Sequence, residues 1–304
     1  MTKNKNLNAA AKAKQDEFYT RLEDIENELK HYENFFAGKV VLCNCDDPHK
    51  SEFVNYFRKN FAELGLKKLI ATYLAPQGKS SLKLEVDECK ENFTKLDGDG
   101  DFRSEECIKA LKQADVVVTN PPFSLFREYV KQLAEYDKKF LIIGNMNAIT
   151  YKEIFRLIKD NKLWLGYGFK RDPQFKVPDD YEERTTRFWI DAGGQKWRSF
   201  GNMCWFTNLD VRKRHENILL VKKYSPEKYP RYDDFDAIEV SRTADIPQDY
   251  FGVMGVPITF LNKYNPAQFE IVGKIDTGKT DEYNLANPII NGKMKFKRIA
   301  IRRR

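Results

Sequence analysis

From Lys39 to Gly168, short apolar runs alternate with amphipathic ones, and few architectures accept that pattern. The apolar runs are KVVLCNC, KKLIATYL, DVVVT, KKFLIIG and KLWLGYG. Each is too short for a core helix and lacks the polar alternation of a strand with one wet face. Each therefore reads as a strand buried on both faces. Between them EFVNYFRKNFAELG, Ser104–Gln113, SLFREYVKQL and YKEIFRLIKDN repeat their apolar residues every three or four positions. Strands separated by helices of this length predict an α/β fold, and right-handed crossovers make its mostly parallel sheet doubly wound. Ser104 and Ser124 are expected N-caps, and Gly65 an expected helix stop. Upstream, Leu22, Ile25, Leu29, Tyr32 and Phe36 share one helical face. Thr20 and Glu23 form the T-x-x-E of a capping box, which starts that helix at Thr20.

After Gly168 the alternation stops. Residues 168–200 mix Pro, Gly, charge and aromatics and are expected to be irregular. MCWFTNL is one further strand, and beyond Asp210 the strongest local signal is the hairpin dipeptide Asn291-Gly292. Trp189, Trp197 and Trp205 are expected to pack in the core or on hairpins.

Asn120-Pro121-Pro122-Phe123 lies where a buried strand gives way to a helix, the place where ligands bind in open α/β sheets. Ordinary residue frequencies put this tetrapeptide in about one chain in a thousand of this length. Its chemistry suits an exocyclic amine such as N6 of adenine, whose lone pair is delocalised into the ring. Two acceptors aimed at the two N–H groups localise that pair. Asn120 supplies a side-chain oxygen, and Pro121 a backbone carbonyl whose direction the ring restrains. Phe123 supplies a face for a base. Asparagine is no base near neutral pH, so the scheme needs a donor with a good leaving group, such as the methyl-sulfonium of S-adenosylmethionine. No metal is needed. A base inside a duplex reaches such a site only when flipped out.

Taken together, QDEFYT, VVLCNCDDP, GDGDFRS, VVVTNPPFSLFREY, KKFLIIGN, FTNLDV and GVMGVPITFLNKYNP resemble the EcoRI-type adenine-specific DNA methyltransferases. The resemblance implies a Rossmann-like S-adenosylmethionine-dependent catalytic domain and a site-specific N6-adenine activity in restriction–modification. It implies that Phe18, Tyr19 and Thr20 close over the methionine part of the cofactor. Asn44, Cys45, Asp46, Asp47 and Pro48 would form the cofactor loop, here without glycine. Asp101 and Phe102 would hold the cofactor adenine, and Asn120, Pro121, Pro122 and Phe123 the methyl-transfer site. The motif order resembles the gamma arrangement. The expected organisation is a basic flexible arm at 1–15, a catalytic domain at 16–209 with a DNA-facing segment at 168–200, and target recognition at 210–304.

Double-stranded DNA is the expected partner. Net charge is +7, and both ends are basic, as MTKNKNLNAAAKAK and GKMKFKRIAIRRR show. Lys170, Arg171, Arg187 and Arg198 are expected on DNA, with the cationic run Arg212, Lys213, Arg214 and His215. The chain is expected to act as a monomer, apart from any cognate restriction endonuclease. Five irregularly spaced cysteines predict reduced thiols. The absence of an apolar run near ~18 residues predicts a cytoplasmic protein away from membranes.

Two other functions compete. A DNA-binding protein without catalysis would use the same basic segments but leave Asn120–Phe123 unexplained. A P-loop ATPase would use Gly273, Gly278, Lys279 and Thr280, which match G-x4-G-K-T. That loop must open a helix, and Pro288 follows too soon for one. Cys43, Cys45 and His49 lack the second ligand pair of a zinc site.

Overall fold

The computed structural model describes residues 18–75, 80–183, 186–277 and 281–304. The expected arm at 1–15 and the motif residues Gly278, Lys279 and Thr280 lie outside them. The chain divides into two compact units. One holds the residues up to Asn145 together with Gly168–Leu209, and the other holds Met146–Tyr167 with Asp210–Arg304.

The first unit begins with β1 (Tyr19–Thr20), α1 (Leu22–Leu29), β2 (Val40–Asn44), α2 (Glu52–Lys59) and β3 (Lys68–Thr72). It continues with β4 (Leu82–Val86), β5 (Glu91–Lys95), α3 (Glu105–Gln113), β6 (Val116–Thr119), α4 (Phe126–Glu135) and β7 (Lys139–Asn145). The chain then gives α5 (Lys152–Lys159) and β8 (Trp164–Leu165) to the second unit. It returns with β9 (Gln174–Lys176), β10 (Phe188–Ile190), β11 (Lys196–Ser199) and β12 (Met203–Thr207).

The large sheet of this unit runs β5-β4-β3-β2-β6-β7-β12. β2 pairs in parallel with β3 and with β6, and β6 with β7. Every residue of β2 and β6 is buried, which is why neither shows a polar alternation. The expectation of a mostly parallel sheet holds for this centre and fails at the edges. β4 and β5 pair antiparallel, and so does β12 against β7. A tight turn at Asp87–Lys90 joins β4 to β5, and so short a link permits only an antiparallel pair.

The caps follow local chemistry at two helices and depart from it at two others. Ser51 caps α2, its hydroxyl accepting from Phe53 N at 3.1 Å. Ser104 caps α3 by accepting from Cys107 N at 3.3 Å. Thr20 is no cap. It lies in β1, opposite Phe175 of β9, and α1 starts two residues later behind Arg21. Strand pairing has overridden the local capping box. Tyr32 and Phe36 are buried as their spacing suggested, although α1 ends at Leu29. Ser124 sits inside a single 3-10 turn, Phe123–Leu125, and α4 begins at Phe126.

Residues 168–200 are more ordered than their composition suggested. β1, β9, β11 and β10 form a small antiparallel sheet in that order. Trp189 and Trp197 stack across its β10–β11 hairpin, centroids 6.2 Å apart, whereas Trp205 is fully buried beside Phe53.

The second unit carries β13 (Ala237–Glu239), β14 (Val253–Pro257), β15 (Phe269–Ile275), β16 (Asn284–Ala286), β17 (Ile289–Ile290), β18 (Lys293–Met294) and β19 (Arg298–Arg303). Its sheet runs β13-β14-β19-β15-β16 over a core that includes Tyr232, Ala237, Ile275, Ile290 and Ala300. Asn291 and Gly292 both have positive φ (49° and 70°) and join β17 to β18, as the dipeptide suggested. The P-loop reading fails here. Gly273 lies inside β15 opposite Ala300, and Lys274 is buried against Asp281. The residues from Asp281 onward form a turn and β16 in place of a helix. Among the described residues no helix is long and apolar enough to cross a membrane.

Candidate active site

Strand order reverses between β2 and β6: β3 lies beyond one and β7 beyond the other. The carboxyl ends of these two strands carry Asn44–Pro48 and Asn120–Phe123. Asp46 links them. Its buried carboxylate accepts from Ser51 Oγ at 2.6 Å and from the Thr119 hydroxyl. Burial raises the Asp46 pKa from 3.8 to about 6, the two hydroxyl donors offset part of that, and the Asp47 charge adds to it. The loop turns without glycine because Cys45 takes φ 114°. Cys45 N and Asp46 N both donate to the Thr72 carbonyl, at 2.8 and 3.1 Å. Asp47 Oδ1 accepts from His49 N at 2.9 Å, and Pro48 is buried.

Asp101 and Phe102 join this loop through Tyr129 of α4. The Phe102 ring meets the Tyr129 ring edge-on at 5.0 Å, and the Tyr129 hydroxyl donates to Asn44 Oδ1. The Asp101 carboxylate is already engaged. It accepts from Arg103 Nε at 2.9 Å and Nη2 at 2.7 Å, while Arg103 Nη1 reaches Glu128 at 2.9 Å. Half-burial would raise the Asp101 pKa, but the bonds and charge of Arg103 win and lower it. Ahead of this pair Gly100 has φ 79°, and a Cβ there would lie 2.0 Å from the Tyr73 carbonyl oxygen. Only glycine fits this close approach.

Asn120 is held at one end. Its Nδ2 donates to the Phe18 carbonyl at 2.6 Å. Only the nitrogen can donate, so this bond fixes the amide orientation. Its Oδ1 is buried and has no partner. Thr20 Oγ1 and Asn44 Nδ2 are also buried without a partner. Folded proteins satisfy nearly all such atoms, and leaving one unpaired costs about 1–3 kcal/mol.

Aromatic rings cluster around Phe18 and Phe123. Phe18 stacks on Phe123 with centroids 5.1 Å apart and planes 14° from parallel. Phe200, Tyr181 and Phe175 meet Phe18 edge-on at 4.8, 6.0 and 6.1 Å. Phe123 also meets Phe200 and Phe175, at 6.2 and 6.5 Å. Phe175, Tyr181, Phe200, Thr119 and Arg103 were missed as site residues. Aromatic content in 168–200 was the only signal for the first three.

The expected DNA contacts divide. Lys170 and Arg171 are exposed. Arg187 is exposed, with φ 53° and a 3.7 Å approach to Asp172. The Arg198 guanidinium lies over the Phe200 ring at 5.2 Å. Arg212–His215, expected on DNA, belong to the second unit, and only Arg212 and His215 of the run are exposed. Arg214 is buried, stacked 3.7 Å from the Trp164 ring centroid and bonded to Asn161. Lys213 Nζ donates to the Gly166 carbonyl at 2.9 Å, and His215 bonds Asp210 at 2.8 Å. Arg212 is exposed.

The family model described as adenine-specific methyltransferase EcoRI matches residues 6–304. The chain belongs to this family. It is 51% identical to the type II methyltransferase M.EcoRI of Escherichia coli, over 98% of the chain and 96% of that protein. It is 42% identical to the type II methyltransferase M.MpnI of Mycoplasma pneumoniae, over 98% of each. Identity to the type II methyltransferase M.MgeORF184P of Mycoplasma genitalium is 41%, again over 98% of each. No solved structure matches significantly. A member of this family is a site-specific DNA adenine methyltransferase of the restriction–modification kind.

Proposed function

We propose that the methyl acceptor is N6 of an adenine flipped out of double-stranded DNA, and that Asn120 is the residue that activates it. The observation that carries this reading is the buried, unpartnered Asn120 Oδ1, held in place through its own amide nitrogen. A flipped adenine stacked on Phe123 would offer its amine to that oxygen and to the Pro121 carbonyl. The Asn120 acceptor is set before the substrate arrives, so little reorganisation of it remains for the transition state.

S-adenosylmethionine is the methyl donor in this reading; bound, it supplies an electrophilic methyl group on a sulfonium that leaves as a neutral thioether. Tyr19, Thr20, Asn44–Pro48, Asp101 and Phe102 would hold it. The buried unpaired Thr20 Oγ1 and Asn44 Nδ2 suit a polar ligand there. The reversal of strand order at β2 and β6 supports a doubly wound, Rossmann-like catalytic unit, whose ligands lie at such reversals. Residues 210–304 serve target recognition, and the protein works as a monomer, apart from any cognate endonuclease.

Asn120→Ala tests the reading. The variant keeps its fold and its affinity for S-adenosylmethionine and loses turnover by about 100-fold or more, the scale of one oriented polar group in a preorganised site. Methylation of DNA adenine at near wild-type rate would show that Asn120 does not carry the chemistry.

A further inference from the structure

The resemblance places Phe18 with the cofactor, yet its contacts lie on the target side. Its carbonyl receives the Asn120 amide, and its ring covers a face of Phe123. Stacked carbons sit about 3.5–4.0 Å apart, so a base held between two rings needs their planes roughly 7–8 Å apart. At a centroid distance of 5.1 Å, Phe18 and Phe123 leave no such gap. Either the base never uses this face of Phe123 or the Phe18 ring leaves it.

We propose that Phe18 is a positioning residue of the target-base site with two separable parts. Its ring stands in for the extruded adenine on Phe123 and is displaced when the base enters. Its carbonyl stays and keeps the Asn120 oxygen aimed. This rests on the flipped-adenine reading above.

Local structure allows the two parts to act separately. Immediately after Phe18, Tyr19 and Thr20 pair with Lys176 and Phe175 of β9, which anchors the backbone. The ring is only half-buried, and a rotation about its Cα–Cβ bond moves it without disturbing that pairing. Phe200 and Tyr181 already meet it edge-on, so the ring has apolar neighbours at its sides as well as the face of Phe123. In the resting protein the ring covers the apolar face of Phe123 that the base would otherwise have to desolvate.

The test uses the full-length protein with Phe18→Ala and Phe18→Leu. Dissociation constants are measured for duplexes containing the mapped methylation site. The target position carries either adenine or an abasic analogue, and S-adenosylhomocysteine is saturating. Removing the ring removes the pair that the base must break. Phe18→Ala therefore tightens the adenine duplex relative to the abasic one by roughly two- to tenfold, the scale of one aromatic pair. Phe18→Leu moves the ratio the same way by less. Affinity for S-adenosylhomocysteine without DNA changes less than about twofold, since both variants keep the carbonyl and β1. Thermal unfolding identifies a variant that fails to fold, in which case the other decides. A ratio that stays put or falls overturns the proposal, and weakened S-adenosylhomocysteine binding alongside would assign the ring to the cofactor. Failure here leaves the Asn120→Ala result untouched, so the two readings fail separately.

Discussion

Replacing Asp46 by asparagine should raise stability at neutral pH relative to acid pH, and the size of the change can be worked from the site. Burial is the largest influence on this carboxyl and pushes its pKa up; the Ser51 and Thr119 hydroxyls oppose burial, and Asp47 assists it. The outcome is a rise from 3.8 to about 6. Between those values the folded protein keeps a proton that the unfolded chain has released. Stability from this group is therefore greatest below about pH 4 and falls as pH rises, levelling off above about pH 6–7. At roughly 1.4 kcal/mol per pH unit, the ionised form costs the fold about 3 kcal/mol at neutral pH. Asp46→Asn has no proton to lose, and its amide can still bond both hydroxyls, which rotate to suit. Urea unfolding of both proteins at half-unit steps from pH 4 to 7.5 checks this. Carboxylates elsewhere cancel in the difference. The stability of the wild type minus that of the variant should decline by up to about 3 kcal/mol across the range. A flat difference would mean that Asp46 titrates normally. A rising one would mean that the two hydroxyls outweigh burial and hold the carboxylate ionised.

Gly100→Ala forces a Cβ to 2.0 Å from the Tyr73 carbonyl oxygen at a φ of 79°, so it should lose more than about 2 kcal/mol in urea unfolding. A loss below about 0.5 kcal/mol would place this loop elsewhere. Arg214→Ala should lower the melting temperature and leave the salt dependence of DNA binding unchanged, because its guanidinium packs on Trp164. Arg212→Ala should do the reverse, making the slope of log affinity against log salt shallower by about one. Asp101→Ala should weaken S-adenosylmethionine binding in calorimetry. Arg103→Leu should weaken it less and bring the Asp101 pKa back up, and equal damage would mean that the ion pair only braces the loop.

The centre of the large sheet is legible in the sequence because burial on both faces leaves a chemical mark. β2 and β6 are apolar up to their last residues, Asn44 and Thr119, and every residue of both is buried. β4 and β5 leave no comparable mark. Every residue of β5 is exposed, so Glu91–Lys95 carries charges where a core strand would carry valines. The small sheet escapes for another reason: its strands are two to four residues long, too short to display a period of two. Thr20 shows the limit in reverse. Its spacing to Glu23 satisfies a helix cap, but β9, far along the chain, claims it for a strand, and no local rule can see that pairing.

The site divides along the same line. Asn120-Pro121-Pro122-Phe123 could be singled out because the proposed activation of an amine restricts both residue type and spacing. The surrounding rings face no such restriction, since any aromatic supplies an apolar face. What selects Phe18 is register. Thr20 faces Phe175 and Arg198 also faces Phe175, so β1 and β11 flank β9 on either side. That alignment brings Phe18 and Phe200, one just before β1 and one just after β11, within 4.8 Å of each other beside Phe123. The surface cations mislead for a related reason. Arg212, Lys213 and Arg214 are alike as charges, and only the third has the flat guanidinium aligned with Trp164 and Asn161. A planar cation can stack on an aromatic ring and donate at its rim at once, so burying it forfeits less than burying an ammonium would. A run of positive charge therefore states how much phosphate a surface could meet, and packing decides which members of the run remain free to meet it.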